Sequence, residues 1–393
     1  MLNFDYQNKT RIVFGKDTHK QIGSLIKPFT SKVLLHYGSG SIKKNGIYDD
    51  VIRSLKEQSI EFIELGGVKP NPRLSLIHEG IDLCRKEKIG FILAVGGGSV
   101  IDSAKAIAMG VPYDGDVWDF FAAGKHPDTV LPVATVLTIP ATGSESSIRS
   151  VISDEKTQRK LGYGDEKIRP VVSVINPEIY FSLPDFQIAC GVCDMMSHIM
   201  ERYFTNTTHT DLIDGLSEST MKTIMKNGLI LKRDHTNYDA WAEVAFSGTL
   251  AHNGFLNLGR EQDWACHAME HEMSAIYDVA HAAGLTVVTP AWMKYVYQTN
   301  LPMFVQFAVN VMGVEGSFRD QEWIALEGIR RLEDFYSKME MPLSMKEIDI
   351  DSENFELMAK KATGFAFGKE NKIGGLKKLT WEDVLAIYQL ADR

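Results

Sequence analysis

Short apolar runs alternate with amphipathic segments through the first half of the chain. Runs rich in β-branched residues occur at 33–37, 60–65, 91–95, 130–139 and 171–175, and helical patterns begin near Ser41 and cover 74–87. This alternation is typical of βαβ units, in which helices connect the strands of a parallel sheet. The polar, glycine-containing stretch 155–165 predicts a hairpin outside that sheet.

The pattern changes after Pro177, where long segments rich in Ala, Met, Leu and Glu follow helical spacing. A chain of 393 residues also exceeds what one hydrophobic core usually supports. We therefore predict an α/β domain with a parallel sheet over residues 1–184 and an all-α domain over residues 185–393. The sequence has no internal repeat, which argues against a solenoid.

Composition and charge narrow the class of partner. Hydrophobic residues make up 44% of the chain, and no apolar run reaches the roughly 20 residues that a membrane span needs. The net charge of -9 and the absence of a dense Lys/Arg run argue against nucleic acid as a partner. The N-terminus lacks a signal-peptide pattern, and the 4 scattered cysteines fit a reducing compartment. We expect a cytoplasmic protein.

A glycine-rich turn suggests an anion site. Gly96, Gly97 and Gly98 follow an apolar run and precede Ser99 and a helical pattern. Glycines allow close approach of a phosphate to the backbone, and a helix N-terminus offers N–H groups and a positive dipole end. The turn departs from the Gly-x-Gly-x-x-Gly fingerprint, because Ile101 stands at the third glycine position. A tight βα turn without a ligand is the alternative.

A second turn, 38–41, follows the first of these apolar runs. In a dinucleotide site this turn meets the adenosine ribose, where an acid selects NAD over NADP. Ser39 is at its tip, with no acid nearby in the sequence, and Lys43 and Lys44 follow. This composition favours NADP. An ordinary solvated turn with surface lysines is the alternative.

Acidic and histidine residues form a pattern suited to a metal. Asp194 and His198 have i, i+4 spacing, so both project from one face of a helix. His267, His271 and His281 follow among small and apolar neighbours. One carboxylate with three imidazoles suits Fe²⁺, Zn²⁺, Co²⁺ or Ni²⁺. Spacing alone does not decide which histidines bind, and any single one could be a hydrogen-bonded core residue.

Taken together, these segments resemble the iron-containing (group III) alcohol dehydrogenase family, and within it the NADPH-dependent butanol dehydrogenase branch. The resemblance covers nearly the whole chain and is carried by 70–72, 96–102, 140–145, Asp194 with His198, and Asp263-Trp264 leading into the later histidines. It implies a Rossmann-like α/β domain and a helical domain, as in dehydroquinate synthase-like folds. It further implies a cleft between them for cofactor and metal, and a homodimer.

The resemblance also implies roles for individual residues. The expected metal ligands are Asp194, His198, His267 and His281, and His271 is expected beside the nicotinamide as a catalytic proton-relay residue. The expected dinucleotide contacts are Asn71, Gly97, Gly98, Ser99, Asp102, Thr138, Thr142, Ser144 and Lys160, with Gly38, Ser39 and Ser41 in the NADP-type turn.

Two cysteines depart from the family pattern. Cys266 stands where Thr is usual, and Cys193 directly precedes Asp194. Both are small, so we expect metal ligation to survive and the site to become sensitive to oxidation. Because Cys190 and Cys193 have no second pair, we interpret them as helix residues rather than a zinc or redox motif.

The implied function is that of an NADP(H)-dependent alcohol dehydrogenase or aldehyde reductase acting on short-chain primary alcohols and aldehydes. One divalent metal, Fe²⁺ or Zn²⁺ with Co²⁺ and Ni²⁺ as alternatives, would act as Lewis acid. Phe255 and Trp264 are candidates for an apolar substrate wall. Two alternatives stay open: a polyol (glycerol-type) dehydrogenase, and a non-catalytic dinucleotide-binding sensor whose metal is structural.

Overall fold

The chain forms two compact units in the computed structural model, which describes residues 1–316, 319–367 and 371–392. The α/β unit contains Gln7–Leu183 and Asp234–Asn253, and the helical unit contains Met1–Tyr6, Pro184–Arg233 and Gly254–Arg393. This grouping by contacts differs from a single division at residue 184 in two segments, 1–6 and 234–253. Helical spacing in 234–253 gave no sign that this helix packs on the α/β unit.

Eight strands are present in the described residues: β1 Arg11–Phe14, β2 Lys32–Gly38, β3 Glu61–Val68, β4 Ile92–Gly96, β5 Val133–Leu137, β6 Arg149–Asp154, β7 Arg159–Gly164 and β8 Val172–Ile175. Six of them form one parallel sheet in the order β1-β8-β5-β4-β2-β3, and β6 pairs with β7 as an antiparallel hairpin. The parallel sheet and the hairpin confirm the prediction. Strand β1 was not predicted, because its short edge position requires no long apolar run.

The helices, in chain order, are α1 Ile22–Ile26, α2 Ser41–Lys44, α3 Ile47–Glu57, α4 Leu74–Glu87, α5 Gly98–Gly110, α6 Trp118–Ala122, α7 Asp185–Tyr203, α8 Asp211–Leu231, α9 Tyr238–His252, α10 Ala265–Tyr277, α11 His281–Val296, α12 Leu301–Asn310, α13 Gln321–Lys338, α14 Phe355–Ala362 and α15 Trp381–Ala391. Short 3₁₀ turns connect several of them. In the described part of the chain, no helix has the length and apolar character needed to span a membrane.

The central strands of the α/β unit are buried on both faces, as is usual where helices cover a parallel sheet. All residues of β4 and β5 are buried. Because β2, β3, β4 and β5 are parallel, the loops that follow them leave the same edge of the sheet. Ligands of open α/β sheets bind at this carboxyl edge.

Helix α9 belongs to the α/β unit because its inner face packs on the segment after β8. The ring of buried Trp241 lies 5.3 Å, centroid to centroid, from the ring of Tyr180. In the helical unit, α7 packs against α8 and α11, and α10 packs against α11 and α14. Thus α11 contacts both helices that carry the other predicted metal ligands.

A buried histidine in the sheet makes stability depend on pH. His36 in β2 is fully buried, with Nδ1 2.8 Å from the Leu65 carbonyl oxygen and Nε2 2.8 Å from Ser103 Oγ. Burial lowers the pKa of His36 from 6.5 to about 4. In the unfolded chain His36 is therefore protonated below about pH 6.5, whereas in the folded chain it stays neutral down to about pH 4.

We expect His36 to destabilise the fold by about 2 kcal/mol as the pH falls from 7 to 5, because 1.36 kcal/mol corresponds to each pKa unit. Urea unfolding of the wild type and of His36→Gln, at both pH values, measures this effect. The wild type should lose about 2 kcal/mol more than the variant, which keeps a polar side chain that does not titrate. An equal loss in both proteins would contradict the assignment.

Candidate functional site

The glycine turn between β4 and α5 is closely packed. A Cβ atom on Gly96 would lie 2.4 Å from Val100 Cγ2, and one on Gly98 would lie 2.3 Å from Thr142 Oγ1. A side chain at either position would force these neighbours to move. Helix α5 begins at Gly98, so its first-turn N–H groups are directed at the carboxyl edge of the sheet, as in anion sites.

The predicted dinucleotide contacts gather at this edge. They occupy the end of β2 and the turn into α2 (Gly38, Ser39, Ser41), the segment after β3 (Asn71), the turn after β4 and the start of α5 (Gly97, Gly98, Ser99, Asp102), and the segment after β5 (Thr138, Thr142, Ser144). The Thr138 N–H donates to the Gly96 carbonyl over 3.1 Å, which joins two of these loops. The hairpin that carries Lys160 is joined to the segment after β3, where the Ser153 N–H donates to the Pro72 carbonyl over 2.9 Å.

A buried polar network lies under the glycine turn. Ser144 Oγ donates to Asp102 over 2.5 Å, and the Val151 N–H donates to the second Asp102 oxygen over 2.9 Å. Lys105 Nζ donates to the Ser144 carbonyl over 2.7 Å and to Ser144 Oγ over 2.9 Å. Burial raises the pKa of Asp102, and the charge of Lys105 opposes that rise. Lys105 thus holds Ser144 and Asp102 in place.

The turn after β2 differs from the sequence expectation in one respect. Lys43 Nζ lies 3.2 Å from Glu64 Oε2 and over the rings of Tyr37 and Tyr48, at 4.9 and 4.5 Å from their centroids. Hydrogen bonds to Tyr37 and Glu64 raise the pKa of Lys43. An acid is therefore close to the turn after all. Glu64 is distant in sequence but lies opposite Leu35 in the pairing of β2 with β3.

Three of the predicted metal ligands meet in the helical unit. Asp194, His267 and His281 each contribute a donor atom, and these atoms lie within 4.8 Å of one another. His281 Nε2 is 3.8 Å from Asp194 Oδ1, and His198 Nδ1 is 3.5 Å from the same oxygen. The His198 ring stacks on that of His267 at a centroid distance of 4.7 Å. The fourth predicted ligand therefore adjoins the group.

Helix geometry brings these side chains together. Asp194 and His198 lie one turn apart on α7, His267 lies in the first turn of α10, and His281 is the first residue of α11. Because His267 and His281 lie in the first turns of their helices, the helix backbone fixes the direction of both side chains. The α7 pair is almost completely buried, with side-chain exposures of 4% and 6%.

The donor set fits a divalent metal. His267 Nδ1 lies 3.1 Å from Glu201 Oε1, whereas His267 Nε2 is buried with no hydrogen-bond partner among the described residues. A buried nitrogen left without a partner costs about 1–3 kcal/mol. A metal bound by Nε2 would remove this cost, and imidazole and carboxylate donors suit Fe²⁺ and Zn²⁺.

His271 and Trp264 lie beside the ligand group. His271 is half-buried on α10, with ring centroids 6.5 Å from His267 and 5.9 Å from His281. Trp264 directly precedes α10, and its ring lies 5.0 Å from that of His267. The other predicted wall residue, Phe255, packs edge-on against Tyr6 at 5.8 Å.

The cysteines of the site are buried helix residues. All four cysteines, each within the described ranges, are free thiols. Burial raises the pKa of Cys193 and of Cys266 well above the ordinary value. Because the thiolate is the form that reacts with oxidants, both should resist oxidation. The expected sensitivity of the site to oxidation therefore receives no support from their surroundings.

Sequence reasoning missed two buried carboxylates next to the histidines. Glu201 lies beside His267, and Glu270 hydrogen-bonds His281. Helical spacing could have revealed both, since Glu201 follows His198 by three residues and Glu270 follows His267 by three. Acids on exposed helix faces are common, so this signal is weak without burial.

Two family models cover almost the entire chain. The one described as iron-containing alcohol dehydrogenase matches residues 9–177, and the one described as the C-terminal part of the Fe-containing alcohol dehydrogenase family matches residues 188–391.

Individual relatives agree with these models. The chain is 42% identical to NADH-dependent butanol dehydrogenase A of Clostridium acetobutylicum, over 99% of both chains. It is 34% identical to the NADPH-dependent aldehyde reductase YqhD of Escherichia coli, over 92% of this chain and 93% of that one. The crystal structure of NADH-dependent butanol dehydrogenase A from Thermotoga maritima has a TM-score of 0.96 at 43% identity, covering 100% of this chain and 99% of that chain. The protein belongs to the iron-containing alcohol dehydrogenase family, as its motifs predicted.

Proposed function

We propose that this protein is a metal-dependent alcohol dehydrogenase and aldehyde reductase that uses NADP(H) and acts on short-chain primary alcohols and aldehydes. The observation that carries the proposal is the group of donor atoms from Asp194, His267 and His281, within 4.8 Å of one another in the helical unit. Membership of the family supports the reaction class, and the names of the relatives support short alcohols and aldehydes as substrates.

The metal would be held by Asp194, His267 and His281, with His198 as the fourth ligand. A divalent metal bound there supplies a Lewis acid for the substrate oxygen. Fe²⁺ and Zn²⁺ are the proposed ions, and Co²⁺ and Ni²⁺ suit the same donors. Burial of the α7 ligands keeps water from competing for their donor atoms.

His271 is the proposed proton-relay residue. Reduction adds a hydride from NADPH to the carbonyl carbon and a proton to the oxygen, giving a primary alcohol and NADP⁺. His271 lies one turn after His267, and its half-buried ring can exchange protons with solvent. Trp264 packs against the ring of His267 and would shield that side of the site from water.

The proposed preference for NADP(H) rests on the turn after β2. Ser39 and Lys44 are exposed there, and Lys43 is held over two tyrosine rings, so the turn can accept a 2′-phosphate. Glu64 offsets part of the Lys43 charge. The names of the relatives point in both directions, since the Clostridium acetobutylicum enzyme is named NADH-dependent and YqhD NADPH-dependent.

The dinucleotide site proposed at the carboxyl edge comprises Gly38, Ser39, Ser41, Asn71, Gly97, Gly98, Ser99, Asp102, Thr138, Thr142, Ser144 and Lys160. The proposal also includes a cytoplasmic location and a homodimer. Free thiols at all four cysteines, which lie in the described ranges, suit a reducing compartment.

Reduction of butanal by metal-free protein reloaded separately with Fe²⁺, Zn²⁺ and Co²⁺ tests the proposed function. We expect turnover only after reloading, no turnover of Asp194→Ala, and kcat/KM for NADPH at least about tenfold above that for NADH, a difference of 1.4 kcal/mol. Turnover without metal would contradict the role of the site, and a preference for NADH would contradict the cofactor assignment. Faster oxidation of glycerol than of butanol would favour the polyol enzyme, and binding of NADPH without any turnover would favour the sensor.

Replacing Gly98 by Ala tests the proposed dinucleotide site. The new Cβ would lie 2.3 Å from Thr142 Oγ1, so the loop after β5 must move away from the glycine turn. We expect the Kd for NADPH to rise by about tenfold or more, equivalent to 1.4 kcal/mol, measured by calorimetry. Gly90→Ala is the matched control, because a Cβ there meets nothing within 4 Å. Equal affinities in the two variants, with both folded by circular dichroism, would argue against this site.

A further inference from the structure

Helix α7 carries a buried glutamate, Glu201, on the same face as its two predicted metal ligands. Asp194, His198 and Glu201 have i, i+4 and i+7 spacing, which is one stripe along a helix. The Glu201 side chain is only 3% exposed. A carboxylate so deeply buried needs strong partners, because burial of an unpaired charge is costly.

Glu201 makes two contacts to one histidine. Its Oε1 accepts the backbone N–H of His267 over 2.9 Å and lies 3.1 Å from His267 Nδ1. His267 is the third residue of α10, where backbone N–H groups have no partner within the helix. The same oxygen therefore caps the start of α10 and orients the imidazole ring.

Glu270 has the corresponding position next to His281. It is fully buried, and its Oε2 is hydrogen-bonded to His281 Nδ1 while its Oε1 accepts from Ser274 Oγ. The absence of a side chain at Gly284 makes room for it, since a Cβ there would lie 2.8 Å from Glu270 Cγ. Two independent features, a serine donor and a glycine, thus hold this carboxylate in position.

The contacts of Glu201 with His267 and of Glu270 with His281 favour the same tautomer of the imidazole ring. A neutral imidazole has one N–H and one lone pair, and an Nδ1–H that donates to a carboxylate leaves the lone pair on Nε2. His281 Nε2 then faces Asp194 Oδ1 at 3.8 Å, and His267 Nε2 is buried with no hydrogen-bond partner among the described residues. Carboxylates in this position also make a histidine a stronger metal donor.

We propose that Glu201 and Glu270 are positioning residues of the metal site, each fixing the tautomer and orientation of one ligand histidine. The supports cross between helices, because Glu201 on α7 orients His267 on α10, and Glu270 on α10 orients His281 on α11. This inference rests on the metal site of the proposed function. The two glutamates connect the three helices that carry the proposed ligands, α7, α10 and α11.

Metal affinities of Glu201→Gln and Glu270→Gln test the inference. The amide is uncharged and can donate its NH₂ to Nδ1, which favours the ring form whose Nε2 carries a hydrogen and cannot bind metal. We expect the Kd for Co²⁺, measured by chelator competition on metal-free protein, to rise about 10–100-fold in each variant. The visible spectrum of bound Co²⁺ should shift as well, which a purely structural role would not cause.

Glu218→Gln is the matched control. Glu218 is also buried in the helical unit, and it accepts hydrogen bonds from Tyr203, Gln306 and Asn310 over 2.7–3.0 Å. Its substitution should leave the Co²⁺ affinity within about twofold of the wild type, equivalent to 0.4 kcal/mol. If Glu201→Gln does not fold, Glu201→Asp replaces it, and if Glu270→Gln does not fold, Gly284→Ala replaces it. Each replacement keeps the negative charge of the glutamate position but displaces the carboxylate from its histidine.

The outcomes separate this inference from the proposed function. Wild-type Co²⁺ affinity in both Glu variants, with normal butanal turnover by the wild type, would overturn the inference alone. Weaker Co²⁺ binding in both variants, with metal-free melting temperatures like that of the wild type, would support it. Tight Co²⁺ binding by a wild type that reduces no aldehyde would overturn only the proposed function, and a wild type that binds no divalent metal would overturn both.

Discussion

The helical unit depends on the burial of three carboxylates, from Asp194, Glu201 and Glu270, beside the imidazoles of His267 and His281. Like charges in a medium of low dielectric constant repel, and desolvation adds to the cost. Nδ1–H groups offset this cost for the two glutamates, and a divalent cation at the shared donor group would offset it for the aspartate. The unit therefore packs a net negative site that is suited to one cation.

The α/β unit is suited to binding an anionic cofactor. Its parallel sheet collects four loops at one edge, and the glycine turn brings the start of α5 to that edge without side chains in the way. Behind the turn, Lys105 is fully buried and donates to the backbone and side chain of Ser144. The loops are thus held by protein contacts before any ligand arrives, which lowers the entropy cost of binding.

Local pattern predicted most of this architecture. Runs of β-branched residues located five strands of the parallel sheet, and i, i+4 spacing placed Asp194 and His198 on one face of α7. The placement of α9 and the closeness of Glu64 to Lys43 were not predictable in this way, because both arise from contacts between residues far apart in sequence. The supporting role of Glu201 was hidden for a related reason, since an acid at helical spacing more often faces solvent than a buried histidine.

Anomalous X-ray diffraction from a crystal of the Co²⁺-loaded protein would locate the metal and identify the atoms that bind it. We expect one strong peak at about 2.0–2.2 Å from a carboxylate oxygen of Asp194 and from the Nε2 atoms of His267 and His281. A peak coordinated by other residues, or by Nδ1 of either histidine, would contradict the proposed ligand set.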